Sequence, residues 1–109
     1  MNASLDIRVR LFRMEEARRQ TQRQLDIIDR QIIRRMTALI PTLQPKRSSY
    51  RRGKTYDPRA FLERYRMNLA AISAERQPEI DALSRKLARQ DCAIAAFRER
   101  HCLERPCAA

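Results

Sequence analysis

Glycine is nearly absent from this 109-residue chain, Gly53 being the only one; tryptophan is missing, and aromatic residues make up 6%. A compact globular fold spends glycine on turns and aromatics on its core, so this scarcity favours long helices joined by very few connections. One glycine also excludes a glycine-rich phosphate loop. No stretch approaches the ~20 apolar residues that span a bilayer. The N-terminal apolar positions are interrupted by Asp6, Arg8, Arg10 and Arg13, unlike the continuous apolar core of a secretory signal. A cytoplasmic protein with no membrane insertion is the expectation.

The residue types that carry most enzyme chemistry are also scarce. His101 is the only histidine, and no His-Glu-x-x-His pattern occurs. The carboxylates are scattered among arginines at helix-surface spacing, as solvated ion pairs are. Three cysteines, Cys92, Cys102 and Cys107, form an odd set with no Cys-x-x-Cys pair, which points to reduced thiols. Joined with His101 they would make a zinc-ligand set. However, Cys92 and Cys102 would lie about 15 Å apart on one helix, too far for one ion. The sequence therefore predicts no enzyme, no metal site and no cofactor.

Positive charge is abundant: 24 basic residues against 13 acidic ones give a net charge of +11. Such a chain is drawn to acidic surfaces, whether nucleic acid, anionic membrane or an acidic protein. Only Lys46, Lys54 and Lys86 are lysine; the rest are arginine, whose planar fork suits phosphates and carboxylates.

Residues 3–40 carry a heptad pattern. One seam position takes Ile7, Met14, Thr21, Ile28 and Arg35, and the other Leu11, Arg18, Leu25, Ile32 and Leu39. Apolar residues dominate both, as a two-stranded seam needs, and Met36 can replace Arg35 on it. Asn2 or Ser4 is placed to cap the start. Pro41 and Pro45 are expected to stop the helix, since proline cannot donate the backbone bond and disfavours helix just before it.

Residues 41–56 read as a connecting loop, with no acidic residue anywhere between Asp29 and Asp57. A second helix over 57–104 then has a clear start, with Asp57 as N-cap and Pro58 at the first helical position. Its stripe runs through Phe61, Tyr65, Leu69, Ile72, Arg76, Ile80, Leu83, Leu87, Gln90, Ile94, Phe97 and His101 in steps of three and four, the helical period. Pro106 is expected to end it. Pro78 interrupts the stripe without shifting its phase, so the helix is either kinked or broken there.

The fold class that follows is all-α: a single-domain antiparallel two-helix coiled-coil hairpin. Folding the chain at the middle of the loop sets Arg18 level with Asp81, an expected pair, and Thr21 level with Pro78. A two-helix rod cannot enclose a core on all sides. Phe12, Ile27, Ile33, Ile40, Leu62 and Met67 lie off the seams, where a third helical piece, self-association or a partner would cover them.

Two binding surfaces are candidates. Lys46, Arg47, Arg51, Arg52, Lys54 and Arg59 cluster on and beside the loop with Tyr50 and Tyr56 interleaved. Cations for phosphates plus aromatics for stacking suit RNA or single-stranded nucleic acid. The other candidate is the paired terminal end, represented by Arg8, Leu11, Phe97 and Arg100.

Two family resemblances bear on function. Leu25-Asp26-Ile27-Ile28-Asp29 followed by Gln31-Ile32-Ile33 resembles the first helix of the all-helical chorismate mutases, and Tyr56-Asp57-Pro58 resembles the start of their second. That resemblance implies a catalytic arginine at the position held by Gln22, and an Arg-Glu pair where Ala60 and Phe61 stand. At most a remnant of that activity is therefore implied. The segment from Tyr56-Asp57 through Phe61, Tyr65, Leu69 and Ile72, within a basic helical hairpin of this size, is similar to the stalk proteins of type III secretion and flagellar export (the YscO and FliJ families). This second resemblance implies a cytoplasmic antiparallel coiled coil whose paired terminal end docks on a hexameric export ATPase, an acidic protein partner in the wider sense.

Overall fold

The structure is a computed structural model that describes residues 3–43 and 57–103. The fold class is the expected one, an all-α helical hairpin. Helix α1 spans Ala3–Leu43 and helix α2 spans Pro58–Arg100, with no strand among the described residues. The chain divides into two compact units, Met1–Asp26 with Glu79–Ala109 and Ile27–Pro78.

In the first unit the helices run antiparallel. Arg18 Nε donates to Asp91 Oδ1, and Arg98 Nη2 donates to Glu15 Oε2. Ile7, Leu11, Met14 and Leu25 of α1 are half-buried, as are Ile80, Leu83 and Leu87 of α2. The deepest side chains are Thr21, Ile94 and Phe97. Thr21 tolerates burial because its hydroxyl donates to the Ala17 carbonyl at 3.2 Å, the back-bond open to threonine in a helix.

Gln90, on the same seam, is less well accommodated. Its Oε1 is buried with no hydrogen-bond partner among the described residues. An unpaired buried acceptor costs about 1–3 kcal/mol. Gln90→Met keeps the shape and removes the acceptor, so it is expected to raise stability by about 1–2 kcal/mol. Urea melts followed by circular dichroism read this, and a midpoint at or below that of the parent would count against an unsatisfied oxygen.

The second unit is also an antiparallel pair. Arg76 Nη1 donates to Gln31 Oε1 at 2.9 Å, and Arg35 Nη1 donates to Glu75 Oε2 at 2.9 Å. Ile28, Ile32, Met36 and Leu43 of α1 and Ile72 of α2 form its core. Phe61, Tyr65 and Leu69 are half-buried beside them, with the Phe61 and Tyr65 rings 6.3 Å apart.

The expected register is corrected. Arg18 pairs with Asp91 rather than Asp81, nearly three turns further along α2 at about 3.6 residues per turn. Level with Gln31 is the turn around Arg76 and Pro78, so the polar gap at Thr21 and the proline do not face each other. The reason lies at the end of α1. The Leu43 carbonyl is met by Arg64, so the first turns of α2, from Pro58 to Glu63, come before the point opposite the end of α1.

Each helix end shows which local force prevailed. α1 continues through Pro41 to Leu43, past the expected stop. Proline removes one backbone donor, but in the last turn that is a small loss beside the burial of Leu43. Two hydroxyls add bonds in these turns, Thr37 to the Ile33 carbonyl at 2.9 Å and Thr42 to the Leu39 carbonyl at 2.7 Å. The last turn of α1 carries no basic residue, and the positive charge that favours a helix C-terminus comes across from α2. There the Arg64 guanidinium donates to the Leu43 carbonyl through Nε at 3.2 Å and Nη2 at 2.8 Å.

The start of α2 is as expected. Arg59 N–H donates to Asp57 Oδ1 at 3.0 Å, and Phe61 N–H to the Asp57 carbonyl at 3.3 Å. Asp57→Ala is expected to cost about 1 kcal/mol in thermal or urea melts, the usual value of an N-cap. Asp57→Asn should recover most of it, and equal losses in both variants would refute capping. Pro78 does not split α2, which is one helix from Pro58 to Arg100. The stripe keeps its phase across the proline, with Arg76 and Ile80 both half-buried on either side.

α2 ends at Arg100, short of the expected 104. The Leu103 N–H reaches back to the Arg98 carbonyl at 2.8 Å and the Cys102 N–H to the Glu99 carbonyl at 3.3 Å, while Cys102 has φ 55°. That is a Schellman closure, whose left-handed residue is ordinarily glycine. A Cβ in this conformation is unfavourable by roughly 1–2 kcal/mol, partly offset by the entropy that glycine loses on folding. Cys102→Gly is therefore expected to stabilise the protein by about 0.5–1 kcal/mol, visible as a raised melting temperature. Cys102→Ala should give no such gain.

Candidate interaction surfaces

Of the basic cluster, Lys46, Arg47, Tyr50, Arg51, Arg52, Lys54 and Tyr56 lie outside the described residues. Arg59 is described: it is exposed in the first turn of α2. At the paired terminal end, Arg8 and Arg100 are exposed, whereas Leu11 is half-buried and Phe97 is 3% exposed. Leu11 and Phe97 are therefore held in the seam and support the end from inside. The Phe97 ring has the Arg10 guanidinium 5.4 Å from its centroid, and the His101 ring 4.4 Å away.

A groove of about 330 Å³ opens beside this seam, lined by Glu15, Arg18, Arg19, Asp91, Ile94 and Arg98. Its arginines are already engaged, Arg18 with Asp91, Arg98 with Glu15 and Arg19 with Glu16 at 2.7 Å. The hydrogen bond from Arg18 to Asp91 holds the guanidinium even more firmly in its charged form than usual. Glu16 also accepts from Arg23 at 3.1 Å. The hydrogen bond from Arg19 does most to hold the Glu16 carboxyl below its ordinary range, against a smaller opposing effect of burial. Because the folded value is the depressed one, this triplet is intact at neutral pH. It is released only as pH falls through that lowered value. The groove's charges neutralise one another locally, which suits fixing the helices in register better than gripping an anion.

Tyr56 of the mutase resemblance lies outside the described residues. Gln22 Nε2 donates to Asp26 Oδ1 at 3.1 Å along the surface of α1, and Ile28 and Ile32 are core residues. The Asp57 of the second segment is engaged as a cap.

Compared with known proteins, the chain matches no family model, no curated sequence and no solved structure.

One surface was only partly legible in the sequence. Leu5 is 58% exposed, Val9 38% and Phe12 61%, and all three lie on one face of α1. With about 100° of turn per residue, their mean direction is roughly 160° from that of Ile7, Leu11 and Met14. They form a second apolar stripe, on the far side of the helix from the seam. The signal was a second set of apolar residues in steps of four and three, out of phase with the heptad. Of these three, only Phe12 stood among the residues expected off the seams. The Arg19 guanidinium lies 5.7 Å from the centroid of the Phe12 ring. No helix among the described residues is long and apolar enough to cross a membrane.

Proposed function

We propose that this chain is a non-enzymatic helical binding protein that docks on an acidic protein partner, a stalk-like component of the type III secretion and flagellar export kind acting on an export ATPase. The observation that supports this most is the build of the paired terminal end. Phe97 and Leu11 lock α1 to α2 there, Arg98–Glu15 and Arg18–Asp91 pin their register, and Arg8 and Arg100 are left facing outward. A stiff backbone end keeps the two arginines at a set spacing, and arginine matches carboxylates geometrically.

The test is direct binding of the full chain to the purified export ATPase of the same genome. Arg8→Glu with Arg100→Glu is expected to weaken binding about tenfold or more, while Arg51→Ala, Arg52→Ala and Lys54→Ala together leave it unchanged. A chain that ignores the ATPase but binds single-stranded RNA steeply with falling salt, and loses this in the loop variant, would instead be a nucleic-acid binder acting through the basic loop.

A further inference from the structure

From the outer face of α1 in the first unit, we infer a docking site for an acidic amphipathic helix, formed by Leu5, Val9 and Phe12 between Arg8 and Arg13. It rests on the proposed role as a protein-docking component and specifies the partner's chemistry and the surface that receives it.

The three apolar side chains are spaced as one helix reads another, at steps of four and three. Their exposures of 58%, 38% and 61% leave them facing solvent, and the seam of this unit is built from the opposite side of the helix. Arg8 and Arg13 are both exposed and lie about 70° to either side of the stripe. They occupy the flanking positions from which charges choose a helical partner. Arg19 lies against Phe12 at the C-terminal end of the stripe but is already paired with Glu16 at 2.7 Å, so the charge that selects the partner is that of Arg8 and Arg13.

Charge decides among the occupants. A second copy of this chain would bring Arg8 and Arg13 against their own counterparts, and like charges set opposite each other disfavour the pairing. The stripe is also short. Its two turns span roughly 10 Å, too little for the ~1,000 Å² that a stable interface clears on area alone. It needs a partner whose charges add to the attraction. A helix with leucines on one face and glutamates beside them meets both requirements: apolar contact along the stripe and carboxylates against Arg8 and Arg13. Lipid would need a broader apolar face than three side chains.

The probe is a labelled synthetic peptide of three heptads, with leucine at the seam positions and glutamate beside them, titrated against the full chain by fluorescence anisotropy. Two comparison peptides are used: a scrambled one of identical composition, and one with lysine for each glutamate. The glutamate peptide is expected to bind in the micromolar range, with the scrambled and lysine peptides at least tenfold weaker. Val9→Asp with Phe12→Asp should abolish binding; both sites are exposed, so helix content by circular dichroism stays at the parent level. Arg8→Glu with Arg13→Glu should reverse the preference to the lysine peptide, an outcome that general attraction to a cationic protein would not produce.

The site is refuted if the scrambled peptide binds equally or if the stripe variants bind like the parent. It is also refuted if sedimentation shows a dimer that Phe12→Asp dissociates, or if vesicles containing phosphatidylserine bind through the stripe while the peptide does not. Retained ATPase binding by a stripe variant that has lost the peptide would overturn the stripe as the surface that receives the ATPase and leave the proposed function standing. Peptide binding as expected, with no ATPase binding, would do the reverse.

Discussion

Phe97→Ala is expected to lower the stability of the protein by about 3–5 kcal/mol, the usual loss for a buried phenylalanine. Phe97 is 3% exposed, with Arg10 over its face and His101 against it. Alanine removes the apolar area and the surface on which those two side chains rest. The figure belongs near its lower end, because a seam between two helices is thin and water can partly fill the gap. Even about 3 kcal/mol is a large share of the 5–15 kcal/mol that ordinarily separates folded from unfolded chains. At about 4–8 °C per kcal/mol for a domain near this size, the melting temperature should fall by more than ~10 °C. Phe12→Ala is the matched control: the same residue type, 61% exposed, with an expected loss below about 1 kcal/mol. Equal losses in the two variants would mean that the assignment of seam and outer face is wrong.

In the second unit, Met36→Ala is expected to cost about 2–5 kcal/mol, as methionine truncations in cores do. Met36 is 2% exposed, while its neighbour Arg35 is exposed and paired with Glu75 at the surface. The strict heptad puts Arg35 on the seam; the structure puts Met36 there. Arg35→Ala should therefore change stability by no more than about 1 kcal/mol, since exposed ion pairs contribute little. A urea melt of the two variants side by side decides which residue faces α2. The loss at Met36 should be several times that at Arg35, and the opposite ranking would restore the uninterrupted heptad. An unbranched thioether is well suited to this position because it can fill an irregular gap where the repeat slips by one residue.

Met36 and Arg35 mark the one place where the α1 heptad and the buried face part company. Every position of the α2 stripe from Phe61 to His101 is buried or half-buried, and so are the α1 seam positions apart from Arg35. Such faces are legible because they depend only on helical period, a local property of the chain. The Asp57 cap was legible for the same reason: its partners are the next few backbone N–H groups. The outer stripe was half hidden. A helix with apolar residues on two sides has overlapping periods, and only the exposure of Leu5, Val9 and Phe12 separates them. Arg64 could not have been identified as the group that meets the end of α1, because Leu43 and Arg64 are 21 residues apart and nothing local links them.

The amino-acid sequence by itself determined that this chain is helical, where its second helix starts, which face of each helix is apolar, and that the surplus charge is arginine. Only the tertiary structure decided which residues of α1 stand beside which residues of α2. A stripe that recurs every three or four residues offers almost the same apolar face after each turn, so sliding one helix along the other changes hydrophobic contact very little. The choice falls to groups that do not repeat: Arg18 with Asp91, Glu15 with Arg98, Gln31 with Arg76, and the Leu43 carbonyl with Arg64. Each is a directional bond between residues distant in the chain, and its geometry exists only once both helices are in place.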